Sequence, residues 1–199
     1  MNFKKTVLIS LALSGGLAVS AGAFAGEASG TMLANTCNGC HGPHGNSFGP
    51  GIPSIAGNAA TYITEKMIAY KSGEMPSTIM GNIAKGYSEA EIKRISEYYA
   101  KQKYVPVVQK HDADLAKAGK KLHDKYCEKC HSEAGVLAED ESGMLSGQWM
   151  PYLEYSLADY HSGVATSTKK MNKKIKKMFK KEGAEGFKKL IHYYGSNTQ

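Results

Sequence analysis

One five-residue pattern occurs twice and carries the chemistry open to this chain. It is Cys37-Asn38-Gly39-Cys40-His41 and, 90 residues later, Cys127-Glu128-Lys129-Cys130-His131. Residues three and four apart share one face of a helical turn. Two thiols so placed reach the two vinyl groups of one porphyrin, while the adjoining imidazole swings beneath the iron. C-x-x-C-H is the attachment pattern of a c-type haem. All 4 cysteines belong to the two copies, and none is left over for a disulfide. Zinc held by two C-x-x-C pairs is the chemical rival, but such pairs usually stand about 15–20 residues apart. Two covalently bound haems c are therefore expected.

An iron held by His41 or His131 needs a second axial ligand. A thioether is soft, favours reduced iron and raises the potential relative to a second histidine. The sulfurs within reach are Met67, Met75 and Met80 after the first motif, and Met144, Met150, Met171 and Met178 after the second. An internal repeat chooses among them. At an offset of 90, Gly45 matches Gly135, Gly57 matches Gly147 and Tyr62 matches Tyr152, and Tyr70, Ser72 and Gly73 match Tyr160, Ser162 and Gly163. Met80 pairs with Met171 at offset 91, and Tyr98-Tyr99 with Tyr193-Tyr194 at offset 95. Met75 has no partner, and Met67 and Met178 fall on apolar helical stripes, the ordinary place for a core methionine. Met80 and Met171 are the expected ligands. His44 reads as a hydrogen-bonding or exposed loop residue near the first motif. His111, His123, His161 and His192 lack both a repeat counterpart and ligand spacing, and read as structural or surface residues.

These residues need helices to hold them. A short helix at Thr31–Ala34 leads into Cys37, and a Gly- and Pro-rich loop, residues 42–50, follows His41; such loops let backbone pass close to a flat ligand. A helix is expected from about Ala59 to Lys71. Ser88 and Glu91 form a capping box, with Tyr87 and Ile92 as its hydrophobic staple, ahead of a helix that buries Ile92, Ile95, Tyr98 and Tyr99. Residues 101–112 read as a linker. Ala113–Tyr126 is an amphipathic helix on which Gly119 would admit a second helix closely. A duplicated unit of this kind predicts an all-α fold of two tandem domains, 26–105 and 106–199, each built around one haem.

Residues 1–25 read as a cleaved signal peptide: Lys4 and Lys5, an apolar run from Val7, then Ala23-Phe24-Ala25. The run is broken by Ser14, Gly15, Gly16 and Ser20, and is shorter than the ~20 residues a spanning helix needs. A periplasmic protein without an integral membrane segment is expected. The formal charge of +7 falls by two lysines with the peptide's removal, and haem propionates would cancel most of the rest, so the basicity is not a nucleic-acid signal. Residues 169–181, however, hold eight lysines and no acid. They form either the solvated face of a helix or a docking face for an acidic partner or anionic surface.

The duplicated motif with Met80 and Met171 resembles the dihaem class I cytochromes c. Within them it is most similar to the cytochrome subunits of flavocytochrome c sulfide dehydrogenase. The closer likeness lies in residues 37–47 (CNGCHGPHGNS), 71–88 (KSGEMPSTIMGNIAKGYS), 120–131 (KKLHDKYCEKCH), 147–153 and 169–183, covering essentially the whole mature chain. The resemblance implies haem ligation by Cys37, Cys40, His41 and Met80, then by Cys127, Cys130, His131 and Met171. It also implies a heterodimer with an FAD-containing flavoprotein subunit that oxidises sulfide, this chain passing the electrons to a downstream acceptor. Nothing here resembles a flavin-binding fold, so the chain is expected to transfer electrons rather than to catalyse alone. The alternatives are a free dihaem shuttle feeding a terminal oxidase and, less favoured, a dihaem peroxidase-type enzyme.

Overall fold

Close backbone approach between helices sets the frame. In the computed structural model, which describes residues 27–137 and 142–197, every regular element is helical; no strand occurs among the described residues. The expected signal peptide, residues 1–25, lies outside them. The first half runs α1 (Gly30–Ala34), α2 (Asn38–His41), a 3-10 turn at Pro43–Gly45, α3 (Ala60–Ser72), α4 (Met80–Lys85) and α5 (Glu89–Ala100). The second runs α6 (Ala113–Tyr126), a 3-10 turn at Glu133–Gly135, α7 (Met150–Ser162) and α8 (Lys169–Ser196).

α1 crosses α5, and α6 crosses α8, each through a glycine. A Cβ on Gly30 would stand 2.6 Å from the Arg94 carbonyl oxygen, and one on Gly119 2.0 Å from that of Lys189. No side chain fits at either crossing, and Gly119 admits its neighbour as its spacing suggested. The buried stripe of α6 is Ala116, Gly119, Leu122, His123 and Tyr126, rotated slightly from the expected one because Leu115 and Ala118 lie at its half-buried rim.

The helix ends explain the boundaries. Ser88 Oγ accepts from the Glu91 amide at 3.3 Å while Glu91 Oε2 accepts from the Ser88 amide at 2.8 Å, the reciprocal box expected at the start of α5. Asp112 Oδ1 takes the amides of Asp114 and Leu115 at 2.9 and 3.0 Å to start α6. α8 combines what α4 and α5 do separately. Its backbone breaks at Gly183 (φ 61°, ψ −157°), so Lys169 to Glu182 corresponds to α4 and the remainder to α5.

Two apolar clusters form. One gathers Ala34, Ile63, Met67, Ala84, Ile92, Ile95 and Tyr99; the other gathers Leu122, Tyr126, Leu153, Met178, Leu190, Ile191, Tyr193 and Tyr194. The extended stretch after α5 ties the halves together. The Val105 amide donates to Asn46 Oδ1 and the Val107 amide to the Gly147 carbonyl, both at 2.8 Å.

Candidate haem sites

At the first motif the chain turns once. The amides of Cys40 and His41 both donate to the Cys37 carbonyl, at 3.1 and 2.9 Å. The two thiols thus leave one turn, Cys37 half-buried against the first cluster and Cys40 exposed. His41 is 8% exposed, and its Nδ1 lies 2.8 Å from the Pro53 carbonyl oxygen. A carbonyl only accepts, so the proton sits on Nδ1 and the Nε2 lone pair is free for a metal. Burial lowers the His41 pKa against the opposing pull of the Pro53 carbonyl. The loop that returns Pro53 to this ring is held at Gly45, whose carbonyl accepts from Ile55 and Ala56 at 2.8 and 3.1 Å. Its φ of 81°, and Tyr99 Cδ1 only 2.7 Å from where a Cβ would be, require glycine.

The second motif repeats this with one difference of support. It runs off the end of α6, with the amides of Cys130 and His131 donating to the Cys127 carbonyl at 3.0 Å each. Gly135 has the same φ of 81°, and its carbonyl takes the amides of Leu145 and Ser146 at 2.8 and 3.1 Å. That brings Gly143 to the place Pro53 holds in the first half. Burial lowers the His131 pKa and the Gly143 backbone opposes it, but Nδ1 is buried without a hydrogen bond as well formed as that of His41. Burial pushes the Cys127 thiol up to about 11 and raises that of Cys37 as well. Thiols of this kind stay protonated and inert until a specific ligand engages them.

The methionines divide sharply. Met80 opens α4 half-buried against the same cluster as Cys37, its amide donating to Ser77 Oγ at 2.9 Å. Met171 lies in the first turn of α8, its amide donating to Thr168 Oγ1 at 3.2 Å. The same hydroxyl three residues upstream therefore anchors both. Met75 is buried with its amide on the Ala69 carbonyl, and the residue making the equivalent bond in the second half is Ala165, which has no sulfur. Met67 and Met178 are core residues, 7% and 2% exposed. Met144 is also buried, its sulfur 3.5 Å from where a Cβ on Gly57 would be, and Met150 packs against the second cluster.

Several residues at these sites carry no chemical signal in the sequence, only a place on a stripe or in the repeat. Tyr99 donates to the Ala34 carbonyl at 2.8 Å and lies against the Cys37 thiol; Tyr194 sits against Cys127 and bonds His123 Nδ1 at 2.9 Å. His123 is fully buried and also pairs with Glu128, while Asp124 beside it is taken by Lys120 at 2.8 Å, so this acidic corner is internally satisfied. His161 stacks on Phe179 with ring centroids 3.7 Å apart, His192 Nδ1 accepts from the Asp112 amide, and His44 bonds Tyr98.

Between the two sites runs a polar seam. The Ser54 amide donates to Gln148 Oε1 at 3.0 Å, and Gln148 Nε2 returns a bond to the Ser54 carbonyl at 2.7 Å. Trp149 Nε1 donates to the Ser47 carbonyl, the Met144 amide to Asn58 Oδ1, and Tyr104 Oη to the Ser146 carbonyl. Ser54 follows Pro53, so Gln148 of the second half grips the peptide that orients His41.

Two reduced thiols on one turn, an imidazole presenting Nε2 and a thioether anchored downstream are a donor set that fits a covalently attached haem. Residues 27–103 match the cytochrome c domain family. The structure superposes on reduced recombinant cytochrome c4 from Pseudomonas stutzeri with a TM-score of 0.72, at 25% identity, covering 84% of this chain and 96% of that one. Cytochrome c4 of Pseudomonas aeruginosa is 31% identical over 170 residues, which are 81% of this chain and 84% of the relative. The cytochrome subunit of sulfide dehydrogenase from Chlorobaculum tepidum is 47% identical over 73 residues, 37% of this chain and 66% of that subunit. The likeness to that subunit is thus higher but spans a smaller part of the chain than the whole-length resemblance expected from the sequence. The fold is that of a class I cytochrome c, present twice. The chain belongs to the dihaem cytochromes c of the cytochrome c4 type, carries two covalently bound haems c and serves electron transfer.

Proposed function

We propose that Cys37, Cys40, His41 and Met80 hold one haem and Cys127, Cys130, His131 and Met171 the other, in units spanning 26–105 and 106–199. When bound, each haem supplies one-electron Fe(II)/Fe(III) chemistry. The chain's own residues keep that chemistry simple. The Pro53 carbonyl holds a proton on His41 Nδ1 and so fixes Nε2 as the donor. Met80 and Met171 would each offer a thioether to its haem, and the buried tyrosines Tyr99 and Tyr194 cover the attachment turns against water. The observation that carries this reading is the repeated turn in which the Cys37 carbonyl accepts from the Cys40 and His41 amides and the Cys127 carbonyl from those of Cys130 and His131.

At the finer level, the chain is a periplasmic subunit that accepts electrons from an FAD-containing flavoprotein oxidising sulfide and passes them to a downstream acceptor. Support comes from the 47% identity to a sulfide dehydrogenase cytochrome subunit and from the N-terminal signal pattern. Among the described residues, moreover, no helix is long and apolar enough to cross a membrane. A free dihaem shuttle is the second reading, favoured by the cytochrome c4 relative that matches across both halves. Purified cytochrome should be reduced slowly by sulfide alone and rapidly once a sulfide-oxidising flavoprotein is added. Equal rates with and without it would establish the shuttle instead.

A further inference from the structure

The lysine tract is not an ordinary solvated helix face. All eight lysines from Lys169 to Lys181 are exposed, and none forms an ion pair among the described residues. Lys169–Lys173, Lys170–Lys174, Lys173–Lys177, Lys176–Lys180 and Lys177–Lys181 are like-charge pairs one turn apart, each of which weakens a helix. Lys169 and Lys170 also sit in the first turn, where the helix dipole disfavours cations. A helix selected only for solubility would interleave acids; this one has none before Glu182. The tract's eight charges exceed the net +7 of the whole chain, so the remainder is slightly acidic and the molecule is strongly asymmetric. The first half has no equivalent: α4 carries a single lysine, Lys85, and the repeat offset grows from 91 at Met171 to 95 at Tyr193. One helical turn of sequence has therefore been added in or just after the tract.

Position and packing indicate what such a face meets. Met178, on the buried side of the same helix, lies in the apolar cluster against which Cys127 packs, so the tract adjoins the second haem attachment. Ile175 and Met178 are turned into the core at 7% and 2% exposure, and the half-buried Phe179 of the same face is stacked against His161 and Phe187. No apolar wedge is left to enter a lipid surface, as an interfacial helix requires. We propose that the exposed lysine face of α8 docks an acidic redox protein beside the second haem site. This rests on the electron-transfer reading and specifies the surface through which a partner engages.

The test uses the full haem-loaded protein, and its variant Lys176→Gln, Lys177→Gln, Lys180→Gln and Lys181→Gln, with reduced plant-type [2Fe–2S] ferredoxin as an acidic probe. Each ferredoxin gives one electron to one ferric iron. The wild-type rate should fall at least about tenfold between low salt and physiological ionic strength, as steering is screened. The variant should be about tenfold slower at low salt and nearly salt-independent, with a melting temperature equal to or above that of the wild type. Unchanged haem mass and visible spectrum in the variant keep a failure of docking distinct from a failure of the haem assignment. A variant as fast and as salt-dependent as the wild type overturns the proposal. So does a ferredoxin rate indifferent to the four lysines while they govern binding to phosphatidylglycerol vesicles, which would make the face a lipid-binding one.

Discussion

Met80 and Met171 share one local device, an amide held by a hydroxyl three residues upstream, although the helices they open differ in length. That device aims a thioether from a helix start while the preceding loop remains irregular. Replacing either methionine by alanine should abolish its share of the weak near-infrared band of methionine-ligated ferric haem. It should also lower the potential of that haem while leaving the other unchanged. Met75→Ala is the control. Met75 is buried but its structural counterpart is Ala165, so this variant should lose some stability and keep the band. Loss of the band in Met75→Ala would overturn the assignment.

Among the elements, α5 rests on a box of which only one half depends on protonation for its strength. The Ser88 hydroxyl accepts from the Glu91 amide at any pH, whereas the Glu91 side chain accepts from Ser88 most strongly when ionised, as a charge-assisted bond. Hydrogen bonds from the Ser88 backbone, then from its side chain, hold the Glu91 pKa below the ordinary glutamate value. A carboxylate with a depressed folded pKa contributes its full stability above the unfolded value, and loses it as pH falls through the folded one. Ser88→Ala should cost about 1 kcal/mol. Glu91→Gln should be less stable than wild type near pH ~7, and the gap should close toward pH ~3. Thermal melts at both pH values measure this; a gap that persists in acid would show that the charge has no part in the cap.

Across the whole molecule, Gln148 couples the halves from inside the seam: it is 2% exposed and satisfies both backbone groups of Ser54. Gln148→Ala leaves a buried amide and a buried carbonyl unpaired, at about 1–3 kcal/mol for each. Linker contacts at Val105 and Val107 remain in this variant, so the halves stay tethered but should unfold less cooperatively. Calorimetry should show one transition in the wild type and two in the variant. A single, unshifted transition would place the coupling elsewhere along the seam.

The residues that announce the chemistry are local ones. C-x-x-C-H needs no more than one turn of backbone, the capping box spans four residues, and Gly119 could be recognised by its place on an apolar stripe. Their consequences were therefore legible in the chain itself, as were the duplication and the bounds of α6. What pairs with what at a distance was not. Pro53 meets His41 from 12 residues away, and Gln148 meets Ser54 from 94. No periodicity encodes either contact, because each depends on where a glycine-held loop returns and on how two units are pressed together. The kink at Gly183, which lets α8 be both a lysine-bearing helix and the partner of α6, likewise appears only once the chain is folded. Helical pattern continues through that residue, so its periodicity does not announce the break.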